Sequence, residues 1–320
     1  MMLHPSAPSI LIDTDPGVDD ILAIFFALGS NAVQVAGCTT CMGNAPLDVV
    51  TRNLAFALSV IGRESIPAYT GAAAPLHQLP VWASTHGVEG LGRIMPDPFP
   101  FSTAGTVQDA FTREASTPYQ LVALAPLTNI ARALIDDPRC FDRCTRIIIL
   151  GGAITAPGNK SAVAEFNFFS DPEAADIVLA RCPCPITLIP LDLCYSAVIQ
   201  LSDLNQVHDP DFRSFLIQLC EPYAIGGERE EGIPGIILYD PLAVFAAIAP
   251  EAFTYTSMAV RVDTGQSHAR GMSVADRRLR SIQQPNAAVA TRVDLVAFKN
   301  LFFRALNRLN YSPRHPFQVV

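Results

Sequence analysis

The chain has 320 residues, half of them hydrophobic, with 26 prolines, 19 glycines and a formal net charge of −8. So apolar a chain can bury a large core, which excludes a disordered polymer, and its acid excess argues against nucleic acid or an anionic membrane as the main partner. The only lysines are Lys160 and Lys299, and Arg277, Arg278 and Arg280 read as a solvated face.

The start, Met1-Met2-Leu3-His4-Pro5, lacks the charged and long apolar regions of a signal peptide, so the expected location is the cytoplasm. Short β-branched runs then alternate with longer helical patterns, the signature of a mostly parallel sheet covered on both faces. A strand at 9–12 leads into a helix at 19–28, and a strand at 33–38 into a helix at 46–61. Residues 72–105, proline-rich and carrying His86-Gly87-Val88-Glu89-Gly90-Leu91-Gly92, read as a long surface loop. Strands at 120–124, 146–150 and 186–190 are followed by helices at 127–136, 172–181 and 211–220. The polar stretch 221–234, with Gly226-Gly227, reads as a second long loop, and such loops are often lids or binding loops. A helix at 241–249, a strand at 256–262 and a helix at 293–307 complete the series. No linker or repeat divides it. The expected fold is α/β: a single open, mostly parallel twisted sheet with helices on both faces, one domain over 1–320.

The longest apolar stretch, 233–250, is interrupted by Pro234, Asp240 and Pro241, so it falls short of the roughly 20 apolar residues of a membrane span. Eight cysteines include the close pairs Cys38/Cys41, Cys140/Cys144 and Cys182/Cys184. Without a signal peptide they read as reduced thiols, and the half-site Cys38-Thr39-Thr40-Cys41 lacks the second pair a zinc site needs.

The chemistry concentrates in Asp13-Thr14-Asp15-Pro16-Gly17-Val18-Asp19-Asp20, which follows the apolar run Ser9-Ile10-Leu11-Ile12. Close like charges raise the cost of ionising one another, so such a run suits a hard cation better than it suits a fold. Helix capping by Asp15, with Asp19 and Asp20 in the first turn, explains one or two of the acids. An EF-hand loop fails because Pro16 interrupts it and Ile24 stands where the bidentate Glu belongs. A phosphatase of the haloacid dehalogenase type also begins with Asp-x-Asp but needs a deeper lysine, for which Lys160 is the central candidate. Ligands of open α/β sheets bind beyond the carboxyl ends of the strands. There the predicted strands deliver the four acids, Cys41-Met42-Gly43-Asn44, Leu124-Ala125-Pro126-Leu127-Thr128-Asn129, and Gly151-Gly152 with Gly158-Asn159.

The surroundings of Lys160 carry a resemblance. The segment Gly158-Asn159-Lys160-Ser161-Ala162-Val163-Ala164-Glu165-Phe166-Asn167, followed by Ser170-Asp171-Pro172-Glu173-Ala174-Ala175, resembles the central signature of the inosine–uridine-preferring nucleoside hydrolases. The acidic run resembles that family's amino-terminal signature. Asn44, the run from Pro126 to Ala131, His86-Gly87 and Tyr239-Asp240-Pro241-Leu242 are similar in the same order, and Arg270-Gly271 with Val274 and Asp276 extends the match.

The resemblance implies a Ca²⁺-dependent hydrolase of the ribonucleoside N-glycosidic bond, releasing base and ribose in nucleoside salvage. It implies Asp15, Asp20, Asp240 and the Leu124 carbonyl as metal ligands, with Asp15 also the general base for a metal-bound water. It implies Asp19, Asn44, Asn159, Glu165 and Asn167 as ribose partners, His86 near the base or the 5′-hydroxyl, and Asp13 as support behind the ligands. It further implies a homodimer or homotetramer. The pattern departs at Tyr239 and Tyr195, where many relatives have histidine; a phenol is a poorer acid at neutral pH. That departure puts leaving-group activation and base preference in question, and it motivates an alternative: a catalytically weak nucleoside- or ribose-binding protein on the same scaffold.

Overall fold

The computed structural model describes residues 7–87, 89–113, 117–278 and 283–320. The amino-terminal residues 1–5, Val88 and Arg280, all used in the sequence reading, lie outside the described residues. The strands in chain order are β1 (Ser9–Thr14), β2 (Gln34–Thr40), β3 (Ala68–Thr70), β4 (Ile94–Pro96), β5 (Gly105–Thr106), β6 (Tyr119–Ala123) and β7 (Cys144–Leu150). They continue with β8 (Ile186–Ile189), β9 (Val198–Ile199), β10 (Ile236–Ile237), β11 (Phe253–Val262), β12 (Ser273–Asp276), β13 (Ala287–Val293) and β14 (Phe317–Val319). Ten of them form one open sheet in the order β12-β11-β13-β8-β7-β6-β1-β2-β3-β5. Its pairings are parallel except where β11 meets β12 and β13.

Side chains of a strand alternate between faces, and here the alternation sorts them into two cores. Ile10 and Ile12 of β1, Val122 of β6 and Ile148 of β7 point into one. Leu11, Leu121, Ile147 and Ile149 point into the other. Because helices cover both faces, the central strands read as unbroken apolar runs.

The chain runs outward from β1 through β2 and β3 to β5, then returns to lay β6 on the opposite side of β1. This reversal opens a crevice beyond the carboxyl end of β1, the place where open α/β sheets bind ligands. The helix Val18–Ser30 leaves that crevice and is buried along nearly its whole length against the helices Tyr239–Ile248 and Leu295–Leu306. Its contact with the last helix is so close that a Cβ on Gly29 would stand 2.2 Å from the Ala305 carbonyl oxygen.

The expected helices at 46–61, 127–136, 172–181, 241–249 and 293–307 appear as Leu47–Val60, Thr128–Asp136, Pro172–Arg181, Tyr239–Ile248 and Leu295–Leu306. The second expected loop needs correction. The helix that begins at Pro210 does not stop at Cys220 but runs to Glu231, with Pro222 inside it. A proline in a helix leaves the carbonyl four residues back without its donor. Here that carbonyl, on Gln218, accepts the Arg93 N–H at 3.2 Å. Beyond the proline, Tyr223 is buried and Gly226 lies against Thr85, so packing outweighs the weak helical propensity of the glycines. The helix ends at Gly232, whose φ of +71° suits a residue without a side chain. The 72–105 stretch is mainly irregular, as expected, with β4 inside it pairing with β14.

Replacing Gly29 by alanine should lower stability by about 1–3 kcal/mol through overpacking against Ala305. Urea unfolding would read this as a lower midpoint with an unchanged slope; an unchanged midpoint would mean that the helices separate freely.

Candidate active site

Asp13, Asp15, Asp19 and Asp20 leave β1 and enter the helix Val18–Ser30, all of them buried. Asp13 sits deepest. Its Oδ1 accepts the Thr39 hydroxyl at 2.5 Å and the Asn129 amide at 2.7 Å, while Oδ2 has no partner. Burial pushes its carboxyl up to about 6, against the pull of those two donors. Asn129 also donates to the Thr40 carbonyl and accepts the Ala72 N–H, so one amide ties the ends of β1 and β2 to the long loop.

Asp15 turns toward the crevice. Its Oδ2 accepts the Asn44 N–H at 2.6 Å, and burial together with the Asp20 charge drives its pKa well above the usual range. Gly43 makes room for it: a Cβ there would lie 2.0 Å from Asp15 Oδ2. Asp20 is held by four donors, namely the Thr14 hydroxyl and Asp15 N–H on one oxygen and the Gly17 N–H and Asn44 amide on the other. Burial still raises its pKa. Asp240, at the start of the helix Tyr239–Ile248, comes in from the far side.

One oxygen from each of Asp19, Asp20 and Asp240 lies within 4.8 Å of the others, and this group could hold a metal ion. Asp19 Oδ1 and Asp240 Oδ1 are buried with no hydrogen-bond partner. Burial and then neighbouring carboxylates push both residues well above the usual range, the signature of a site that gains from a positive charge. Oxygen-only donors fit a hard cation. The tight trio contains Asp19 rather than Asp15.

An open cavity of about 820 Å³, counting the part exposed to solvent, lies over this floor. Asp15, Asp19, Asn44, His86, Leu124, Asn159, Glu165, Asn167, Tyr239 and Asp240 all line it, whereas Asp13 and Asp20 stand behind. The Asn167 amide donates to the Leu124 carbonyl at 2.6 Å and to the Leu150 carbonyl at 3.3 Å, joining the ends of β6 and β7. A carbonyl oxygen has two lone pairs, so Leu124 keeps one in hand. Glu165 caps the short helix Phe166–Ser170, accepting N–H groups from Gly152, Asn167 and Phe168. Asn159 accepts the Phe166 N–H at 2.9 Å. Asp192, at the back of this wall, takes the N–H groups of Ile154, Thr155 and Ala156 and is a loop anchor.

His86 is brought in by the proline-rich loop. Its Nδ1 accepts the Val18 N–H at 3.0 Å, so the ring proton belongs on Nε2, and burial lowers its pKa to about 3. Tyr223 packs against the ring, with centroids 5.0 Å apart. The Tyr239 hydroxyl donates to Glu231 at 2.5 Å, and burial together with the Glu231 charge raises the pKa of the Tyr195 phenol. Sequence reasoning does not reach Tyr223, Glu231 or Lys160 as site residues. The first two lie in the segment read as a loop, and a helical continuation past Pro222 would have placed both on the cavity side.

Oxygen-rich strand ends at a switch point, with carboxylates below and amides around, make a polar site suited to a hard cation and a hydroxyl-rich ligand on an open α/β sheet. The chain matches the model of the family described as inosine-uridine preferring nucleoside hydrolase over residues 10–300. It is similar to a pyrimidine-specific ribonucleoside hydrolase RihA of Shewanella woodyi, with 33% identity over 305 residues that cover 93% of this chain and 97% of that protein. Among solved structures it is similar to a plant nucleoside hydrolase, PpNRh1, with 32% identity, a TM-score of 0.86, and coverage of 94% of this chain and 99% of that one. A purine-preferring ribonucleoside hydrolase from Gardnerella vaginalis gives 29% identity and a TM-score of 0.85, covering 93% and 98%. The chain therefore belongs to the inosine-uridine preferring nucleoside hydrolases, enzymes that hydrolyse N-glycosyl bonds.

Gly43→Ala puts a methyl where the Asp15 carboxylate lies, so nucleoside turnover should fall by about a hundredfold or more if that carboxylate acts in the reaction, since a small misplacement of a reacting group costs that much. Reducing-sugar release measured beside the thermal unfolding curve checks it; near-normal turnover would show that Asp15 need not occupy this position.

Proposed function

We propose that this chain is a Ca²⁺-dependent ribonucleoside N-ribohydrolase in which Asp15 is the general base. The observation that carries the reading is the pairing of buried, partnerless carboxylate oxygens on Asp19 and Asp240 with an amide-lined cavity directly above them. Asp15, Asp20, Asp240 and the Leu124 carbonyl would hold the ion, with Asp19 close enough to share it. When bound, Ca²⁺ supplies a hard positive centre that acidifies water and orients ribose hydroxyls.

The remaining steps belong to the protein. Asp15, fixed by the Asn44 N–H, accepts a proton from the water that attacks the anomeric carbon. Asn44, Asn159, Asn167 and Glu165 form the polar wall that supports ribose orientation. The ring of carboxylates and amide oxygens favours the positive charge that builds on the sugar as the base departs. The base leaves with the bonding electrons and needs a donor; His86, whose Nε2 carries the ring proton, is the candidate in the cavity lining, since Tyr239 gives its proton to Glu231. Asp13 acts from behind, holding the strand ends together through Thr39 and Asn129. The relatives include both pyrimidine-specific and purine-preferring enzymes, so their names leave the preferred base of this chain open.

Asp15→Asn should reduce turnover by at least about a hundredfold, the usual contribution of a general base, while the circular-dichroism melt stays close to wild type. Near-normal ribose release by that variant would remove Asp15 from the role. Chelation should abolish ribose release, and added Ca²⁺ should restore it and raise the melting temperature, because an ion that binds only the folded state stabilises it. A melting temperature indifferent to chelator and Ca²⁺ would reject the cation site.

A further inference from the structure

The cavity is graded. Asp15, Asp240 and Tyr239 on its floor are buried, Glu231 is half-buried, and Glu230 and Ser84 at the mouth are exposed. With ribose held on the floor, a nucleobase reaching toward the mouth would pass the cavity wall that includes Tyr239 and Glu231. At that corner Tyr239 meets a carboxylate supplied by the last turn of the helix Pro210–Glu231, and that carboxylate's charge also acts on Tyr195, just past the helix Leu191–Cys194. A phenol has a single proton, and Tyr239 spends it on Glu231 Oε2. What remains toward the cavity is a phenolic lone pair and the carboxylate oxygens. Lys160 also lines the cavity, with one of its three N–H groups given to the Trp82 carbonyl at 3.0 Å and its ammonium over the Phe166 ring, so the acceptors in question are those of Tyr239 and Glu231 themselves. The corner therefore offers acceptors.

We infer that Glu231 is a specificity-determining residue that fixes the Tyr239 phenol and selects nucleosides whose base carries a ring N–H donor on the edge facing it. The inference rests on the ribonucleoside hydrolase reading and narrows its substrate class to bases with a ring lactam, –CO–NH–. A base methylated at that nitrogen keeps its shape elsewhere but loses the donor and leaves the carboxylate unpaired. Discrimination arising this way exceeds what a methyl group against an apolar wall provides.

The test compares kcat and KM for uridine against 3-methyluridine and inosine against 1-methylinosine, in the full-length Ca²⁺-loaded protein and in Glu231→Gln. This substitution keeps the side-chain volume and one acceptor for Tyr239 but turns an NH₂ donor toward the base. For wild type, at least one pair should favour the unmethylated nucleoside by at least about tenfold in kcat/KM, the worth of one charge-assisted hydrogen bond. In E231Q that preference should shrink to within about threefold, chiefly through KM, with the melting temperature within a few degrees of wild type. Wild-type turnover without discrimination in either pair overturns the inference whether or not the variant folds. So does discrimination that persists unchanged in E231Q, since it then reflects a clash with the cavity walls. Failure of wild type to release ribose from any of the four nucleosides rejects the hydrolase reading itself, and this inference with it.

Discussion

The structure depends on the repulsion among five aspartates packed into one corner. Asp13, Asp15, Asp19, Asp20 and Asp240 are all buried, and burial alone disfavours the charge on each of them. Two devices make this tolerable. One is donation from the backbone and side chains: Asp20 alone collects four hydrogen bonds, and Asp13 is held by Thr39 and Asn129. The other is room for a positive charge: the partnerless oxygens on Asp19 and Asp240 could hold a cation, which would satisfy them without further burial of protons.

The topology explains why the cost falls here. At the reversal between β1 and β6, strand ends, helix starts and a returning loop meet. The carbonyls of Thr40, Leu124 and Leu150 emerge there, and each is met by a side-chain amide, from Asn129 or Asn167. The amides thus serve two ends at once. They close the sheet edge electrostatically, and Asn167 also lines the cavity.

Much of this is legible along the chain because it is local in sequence. The acidic run occupies consecutive positions after an apolar strand, and the amides follow the other strands within a few residues, so the rule about strand ends collects them. The run 9–12 reads as a strand for the same reason that the structure buries it on both faces. What escapes is set by contacts between distant segments. Alanine-rich Ala287–Val293 is a strand because β11 and β8 flank it, although its alanines favour a helix. Short β3 and β5 exist only through pairing with each other and with β2. Tyr223 and Glu231 reach the cavity because a helix continues through Pro222, and nothing near Pro222 in the sequence announces that the missing donor comes from Arg93.

That last contact ties two cavity walls into one unit of assembly. The segment carrying His86 supplies the N–H that lets the helix carrying Glu231 persist, and Thr85 of the same segment packs on Gly226 of that helix. Neither wall is a detachable ornament on the sheet. Exchanging the proline-rich segment for that of a relative would remodel the opposite wall as well, unless both were transplanted together. Variation in the substrates accepted by this scaffold should therefore arise through paired changes in these two stretches, with the aspartate corner beneath them left alone.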